Sequence, residues 1–139
     1  MKRLSLFIYF FLITVLQAAA QQSFDKTAVK SVMKRVADWQ IANPNKGAEH
    51  DDLDWTHAAL YMGMLDWAEL TEKEDSDDSY YQWLLRIGQR NHFQIGKWMY
   101  HADFIAVGQP FIDLYLKYGN KKMIAPVMAR ANWVVENPA

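Results

Sequence analysis

The sequence predicts an all-α fold of helical hairpins in which inner helices alternate with outer ones. Three observations predict it. Apolar residues recur at helical spacing through five successive segments. Two of these segments are apolar on nearly every face, while the three that flank them are amphipathic. An internal repeat relates the first segment to the last.

The first helix is expected from about Lys26 to Ala42, with Val29, Val32, Met33, Val36 and Ala37 on one face and Lys26, Lys30, Lys34 and Asp38 on others. Asn43-Pro44-Asn45-Lys46-Gly47 stops it. The second, Trp55 to about Thr71, carries Trp55, Ala58, Ala59, Leu60, Tyr61, Met62, Met64, Leu65, Trp67, Ala68 and Leu70, which leave no wide polar face. A helix of that kind is expected to be buried on all sides. The acidic run Glu72–Asp78 reads as a solvated loop, with Asp77 or Asp78 placed to cap the next helix.

From Ser79 to Asn91 the pattern is amphipathic, with Tyr80, Leu84 and Ile87 on a stripe and Gln82, Arg86 and Gln89 outside it. A loop of mixed character, His92–His101, contains Gly96 and Trp98. Asp103–Tyr118 is again apolar almost all round, through Phe104, Ile105, Val107, Phe111, Ile112, Leu114, Tyr115 and Leu116, and Gly119-Asn120 ends it. The last segment, about Lys122 to Val135, is amphipathic through Met123, Ile124, Val127, Met128, Ala131, Val134 and Val135. Pro126 is tolerated there if the helix begins late enough to hold it in its first turn, and otherwise kinks it.

The repeat gives these helices an arrangement. Ala37-Asp38-Trp39-Gln40-Ile41-Ala42-Asn43-Pro44 returns as Ala131-Asn132-Trp133-Val134-Val135-Glu136-Asn137-Pro138, a shift of 94. Half of that, 47, is close to the separation of 49 between Asp54 and Asp103 at the starts of the two apolar helices. The unit is therefore a hairpin of about 47 residues. Hairpins of this kind stack into an open superhelix or close into a toroid. The inner helices are too apolar for a wet concave surface, so closure is expected. Two and a half hairpins do not close a ring, and the chain is expected to be the N-terminal portion of a longer protein.

Composition narrows the class. Residues 1–20 read as a signal peptide: Lys2-Arg3 is the positive n-region, Leu4–Leu16 the apolar core, and Ala18-Ala19-Ala20 the small residues before cleavage at Gln21. The apolar run is short of the ~20 residues that span a bilayer, so no stable membrane anchor is expected after cleavage. Residues 21–139 form the folded portion, exported to the periplasm or secreted. With no cysteine the fold must be held by its core, which six Trp, seven Tyr and seven Phe can supply. A formal net charge of -1, without a basic track, argues against nucleic acid as a partner. A neutral, aromatic-rich exported protein suits carbohydrate or another small uncharged-to-acidic ligand.

In a ring of hairpins the inner helices run in one direction, so their N-termini gather at one end. Asp54, Trp55 and His57 then stand near Trp98, His101 and Asp103. A helix N-terminus favours a carboxylate by ~0.3–1 kcal/mol, which first supports a plain capping role, and Asp54 is read that way. Asp103 differs, because His101 and the aromatic loop Lys97-Trp98-Met99-Tyr100 precede it and Gly108 comes after it. A glycine inside a helix costs ~1 kcal/mol relative to Ala, so either a ligand or backbone comes close at Gly108, or the core is crowded there. Neither His57 nor His101 has a partner at helical ligand spacing, so no metal site is expected, and no cofactor motif is present.

These residues carry a resemblance. Asp54-Trp55-Thr56-His57-Ala58-Ala59-Leu60-Tyr61-Met62-Gly63 resembles the first inner helix of the unsaturated glucuronyl and rhamnogalacturonyl hydrolases, glycoside hydrolase families 88 and 105. His101-Ala102-Asp103 through Gly108-Gln109, with Asp113-Leu114-Tyr115, is similar to the second. The resemblance implies an (α/α)6 toroid, incomplete in this chain, that acts on oligosaccharides ending in a Δ4,5-unsaturated uronic acid. Two aspartates do the work in that family, and Asp103 matches the first; the second belongs to a further inner helix. Asp103 is thus the implied catalytic residue, with Trp55, His57, Trp98, His101 and Gln109 as candidates for binding substrate. The isolated chain is expected to be inactive. Two departures from the family pattern stand out: Phe104 where Asp or Asn is common, and Pro110 where a helix former is usual. The rival reading is a non-catalytic helical-repeat module that binds carbohydrate or peptide in an aromatic cleft.

Overall fold

The computed structural model describes residues 25–44 and 51–138, and within them every regular element is helical. In chain order these are α1 (Lys26–Ala42), α2 (Trp55–Asp75), α3 (Ser79–Arg90), α4 (Ala102–Ala106), α5 (Gly108–Tyr118), a 3₁₀ turn (Lys121–Met123) and α6 (Ala125–Glu136). The leader 1–20 and the turn Asn45-Lys46-Gly47 lie outside the described residues. Two compact units divide within α1, Met1–Arg35 and Val36–Ala139. In the first, Asp25 caps α1 by accepting from the Thr27 amide at 3.0 Å. The second holds the core and the site.

The second unit is organised around α2, which packs against α3, α4 and α5. Tyr61, Met64, Leu65, Trp67 and Ala68 of α2 meet Tyr80, Leu84 and Ile87 of α3 and Phe111 and Leu114 of α5 in one buried cluster. Aromatic rings interlock there edge to face, Trp67 on Tyr80 at 5.8 Å and Phe93 on Phe111 at 5.4 Å. Burying one such large side chain contributes about 1.5–3 kcal/mol. From α1, Asp38 reaches the cluster by accepting from the Tyr80 hydroxyl at 2.6 Å.

The repeat is visible as a repeated helix ending. Asn43 donates both its amide (3.0 Å) and its side-chain nitrogen (2.8 Å) to the Trp39 carbonyl, and Asn137 does the same to Trp133 at 3.0 and 2.9 Å. A third copy sits between them: Asn91 donates twice to Ile87, at 3.2 and 2.9 Å. The N-cap residues of the inner helices, Asp54 and His101, stand 47 positions apart, half the shift of 94. The register of the second inner helix is therefore set by His101 rather than by Asp103.

Several expectations are corrected. Helix α2 continues through Asp75, because Glu72, Lys73 and Glu74 are good helix formers, and Lys73 lies in its last turn, where the macrodipole favours a cation. It ends at Ser76 in the left-handed region, φ 56°. Asp77, not Asp78, makes the next side-chain cap bond, accepting from the Ser79 amide at 3.0 Å. The second inner segment is broken at Val107 into α4 and α5. Pro110 has no amide hydrogen for the Ala106 carbonyl and its ring crowds that carbonyl, so the break falls just ahead of the proline. Helix α2 is not buried all round: Trp55, Ala59, Gly63, Asp66, Glu69 and Lys73 form an exposed stripe. The apolar faces of α1 and α6 are largely open, with Val36 61% and Val135 80% exposed and Ala37 the α1 residue that is buried. Pro126 lies in the first turn of α6, the position in which it is tolerated.

Beneath the mouth of α2, Asp52 accepts from Arg90 Nε at 2.6 Å and Nη2 at 2.7 Å and from Asn91 at 2.8 Å, which ties the start of one helix of the hairpin to the end of the other. Burial, then the Asp52 carboxylate, pushes the Tyr61 phenol well above the usual range. Burial also raises Tyr81 and Tyr118. A phenol with a raised folded-state pKa leaves stability intact below the unfolded value of about 10 and erodes it as pH rises above that value. The urea midpoint is therefore expected to be lower at about pH 11 than at about pH 8, and equal midpoints would contradict the burial of the Tyr61 phenol.

Candidate active site

Two helix mouths share one depression in the second unit. At the first, Asp54 Oδ1 accepts from the Thr56 amide and from the Thr56 hydroxyl, both at 3.0 Å, and its carbonyl takes the Ala58 amide at 3.0 Å. A short acceptor side chain on extended backbone, φ -80° and ψ 153°, satisfies an amide that has no partner within the helix. At the second, the His101 carbonyl accepts from the Phe104 and Ile105 amides at 3.1 and 3.2 Å, while its side chain makes no capping bond.

Asp103 is the second residue of α4, with its side chain 54% exposed. The nearest histidine nitrogen, His101 Nδ1, stands 3.9 Å from Asp103 Oδ2, within electrostatic reach but beyond a hydrogen bond. Since α4 has five residues, few peptide dipoles add up at Asp103, and the helix-end effect expected from a long inner helix is reduced.

A pocket of about 100 Å³ is lined by Asp54, Trp55, Asp103 and Phe104. A larger one beside it, about 330 Å³, shares Asp54 and Phe104 and adds Asp51, Leu53, Ile95, Gly96 and Lys97. Asp51 and Asp54 both hold backbone amides, Asp51 through Leu53 at 2.8 Å. Lys97 brings a positive charge to the larger pocket.

An aromatic cluster forms the rim. Trp98 lies 5.4 Å from His101 and 5.2 Å from Phe104, and His101 lies 5.3 Å from Phe104. Trp55 and Trp98 are half exposed, 50% and 55%. Large flat apolar faces held open to solvent at a cleft offer stacking surfaces to a ligand.

The structure thus brings Trp55, Trp98, His101 and Asp103 together. His57 and Gln109 are placed apart from them. His57 stacks on Tyr61 at 5.8 Å, with a buried Nδ1 that has no hydrogen-bond partner among the described residues. Gln109 donates along α5 to Asp113 at 3.2 Å, and neither residue lines the two pockets. Gly108 is approached by the side chains of Val127 and Ile95, which settles its close contact as core crowding. Among the described residues no cluster of His, Cys, Asp and Glu forms a metal site.

Sequence reasoning notes Gly96 without giving it a role and passes over Arg130. A Cβ at Gly96 would meet Phe104 Cδ1 at 2.2 Å, and the Gly96 amide donates to the Phe104 carbonyl at 2.7 Å. Arg130 of α6 donates to the Gly96 carbonyl at 2.7 Å, across 34 positions of chain. No local pattern announces a contact at that separation.

The helical hairpins, with no other regular element among the described residues, accord with the α/α-toroid class of fold. The model of Glycosyl Hydrolase Family 88 matches residues 13–139, and the chain belongs to that family, which is built on the (α/α)6 toroid. Comparison with curated proteins and with solved structures finds no match.

Proposed function

We propose that the site acts on the non-reducing end of oligosaccharides released by polysaccharide lyases, hydrating the double bond of a Δ4,5-unsaturated uronic acid. The observation that carries this reading is the exposed Asp103 carboxylate in a small pocket walled by Trp55 and Phe104. Asp103 is one half of a carboxylate pair; one carboxyl group of that pair gives its proton to C4, water adds its oxygen at C5, and the proton released by the water returns to the same group. The resulting hemiketal opens, and the sugar at C1 leaves with its glycosidic oxygen. One water is consumed, and one carboxyl group serves first as acid and then as base. Trp55 and Trp98 offer stacking faces, and His101 lies against Asp103; His57 and Gln109 would reach substrate only from outside the two pockets.

The resemblance implies that the second carboxylate of the pair belongs to a further inner helix; Asp51 and Asp54 each hold a backbone amide. The 139-residue chain is accordingly expected to bind without turnover. Residues 1–20 are proposed as an export signal, with the mature chain starting at Gln21 in the periplasm or outside the cell.

The test uses unsaturated disaccharides derived from rhamnogalacturonan, chondroitin and ulvan, together with their saturated counterparts. Tryptophan fluorescence of the chain is expected to saturate with at least one unsaturated disaccharide and to respond at least about tenfold more weakly to its saturated form, a difference of about 1.4 kcal/mol. Loss of ultraviolet absorbance reports consumption of the double bond, and brisk loss with the 139-residue chain would overturn the assignment of the second carboxylate. Equal response to both forms would favour a binding module, a reading supported by the open faces of Trp55 and Trp98.

A further inference from the structure

The connection from α3 to α4 carries Trp98 to the cleft without regular secondary structure, so something must define its path. It begins with two residues in the left-handed region, His92 at φ 52° and Phe93 at φ 53°. The Phe93 amide donates to the Gly88 carbonyl at 2.7 Å and its ring covers Gly88, where an added Cβ would lie 2.3 Å from Phe93 Cε1. Ile95 and Gly96 are buried, but Lys97 and Trp98 are exposed. Packing therefore accounts for the first half of the connection and not for the half that reaches the cleft.

That half is held from α6. Arg130 Nη2 donates to the Gly96 carbonyl at 2.7 Å, and Nη1 to the Trp98 carbonyl at 2.9 Å, with the Met99 carbonyl at 3.4 Å. One residue on, the Tyr100 ring lies 5.5 Å from Trp133, and its hydroxyl donates to the Asn137 carbonyl. We infer that Arg130 is a positioning residue of the site: its guanidinium fixes the Gly96–Met99 backbone so that Trp98 stands against Phe104 and His101 beside Asp103.

The chemistry favours arginine specifically. A guanidinium presents several N–H groups in a rigid planar fork, so one side chain serves carbonyls lying in different directions. A lysine ammonium keeps the charge but is a compact point donor on a flexible stem, and it does not reproduce the fork. Arg130 lines neither pocket, so its effect on substrate passes through Trp98. This last step rests on the proposed function, whereas the ordering of the loop does not.

Arg130→Met and Arg130→Lys in the 139-residue chain test the assignment by two readouts. The first is hydrogen exchange of the bonded amides that flank the loop, Gly96 on the Phe104 carbonyl and Phe104 and Ile105 on the His101 carbonyl, compared with α2 and α3. Loss of charge-assisted bonds to carbonyls is expected to speed exchange of these amides about tenfold or more in both variants, with α2 and α3 unchanged. The second is the fluorescence titration with an unsaturated disaccharide, expected to weaken about three- to tenfold in both. Unchanged exchange of these amides in Arg130→Met overturns the inference. So does uniform acceleration across α2 and α3, which would mark a general stabiliser, and so does full rescue by Arg130→Lys, which would make charge rather than the fork the cause. Failure of the unaltered chain to bind any unsaturated disaccharide would sink the proposed function and with it the effect through Trp98, while the exchange readout still decides the ordering of the loop.

Discussion

Asp103→Asn is expected to lower turnover of a Δ4,5-unsaturated disaccharide by about 10²–10⁴-fold in the polypeptide that carries both carboxylates, the range ascribed to general acid–base catalysis. Asparagine has nearly the shape of aspartate and keeps its capacity to accept a hydrogen bond, but it lacks the charge and the titratable proton that a carboxylate contributes to the pair. Affinity should therefore change little while turnover collapses, the pattern of an interaction made in the transition state. Asp54→Asn is the informative comparison, because Asp54 lines the same pocket. Asp54 accepts from the Thr56 amide and hydroxyl, and asparagine is as good an N-cap as aspartate. A loss below about tenfold is expected there, in keeping with the cost of perturbing a cap rather than removing a carboxylate of the pair. Rates reporting absorbance loss settle the assignment: if Asp54→Asn were the crippled variant and Asp103→Asn the mild one, the roles would be exchanged. If neither lost rate while both still bound, the site would be a sugar-binding cleft without this chemistry.

The legible part of this arrangement is the part governed by local contact. The amphipathic stripe of α3 can be read because burial at 3.6-residue spacing is written in side-chain type, and Tyr80, Leu84 and Ile87 are buried while Gln82, Arg86 and Gln89 are exposed. The run Glu72–Asp75 misleads because charge signals contact with water, which a helix surface meets as readily as a loop. The third repeat ending is hidden because its bonds need only the asparagine: Ile87 stands where the other copies have Trp39 and Trp133, and His92 where they have proline. The chemistry-bearing side of the site is readable by type, since Asp103, His101, Trp98 and Trp55 are close in sequence to helix starts whose spacing the repeat reveals. Its supporting side is not. Arg130 meets Gly96, and Asp52 meets Arg90, through pairings 34 and 38 positions apart that depend on how the hairpins pack. The open faces of α1 and α6 make the same point from the other direction: amphipathicity identifies an apolar face and is silent on what lies against it.

Gly96→Ala is expected to disturb the site as severely as any structural substitution in it. The added methyl would sit 2.2 Å from Phe104 Cδ1, 2.6 Å from Phe104 Cβ and 2.7 Å from Cγ, so rotating the ring away does not clear the Cβ contact. Either the α4 backbone or the loop must move, and overpacking of this kind typically costs about 1–3 kcal/mol. Because the Gly96 amide bonds the Phe104 carbonyl and its own carbonyl takes Arg130, movement of the loop would also loosen two of the bonds that define Trp98. A lower urea midpoint and weaker disaccharide binding should therefore appear together. Phe104 stands where the resemblance implies Asp or Asn, and that difference offers the control. Phe104→Asn removes the Cδ1 and ring contacts in favour of a smaller amide, while the backbone bond to Gly96 remains available. Alone it should cost stability through lost contact with Trp98 and His101, whose rings lie 5.2 and 5.3 Å away. In the Gly96→Ala background it should recover part of the loss, and residues in direct contact typically couple by about 0.5–3 kcal/mol. Strict additivity of the two substitutions in the urea midpoints would show that Gly96 and Phe104 do not confine one another, and that glycine stands at position 96 for a reason other than the ring above it.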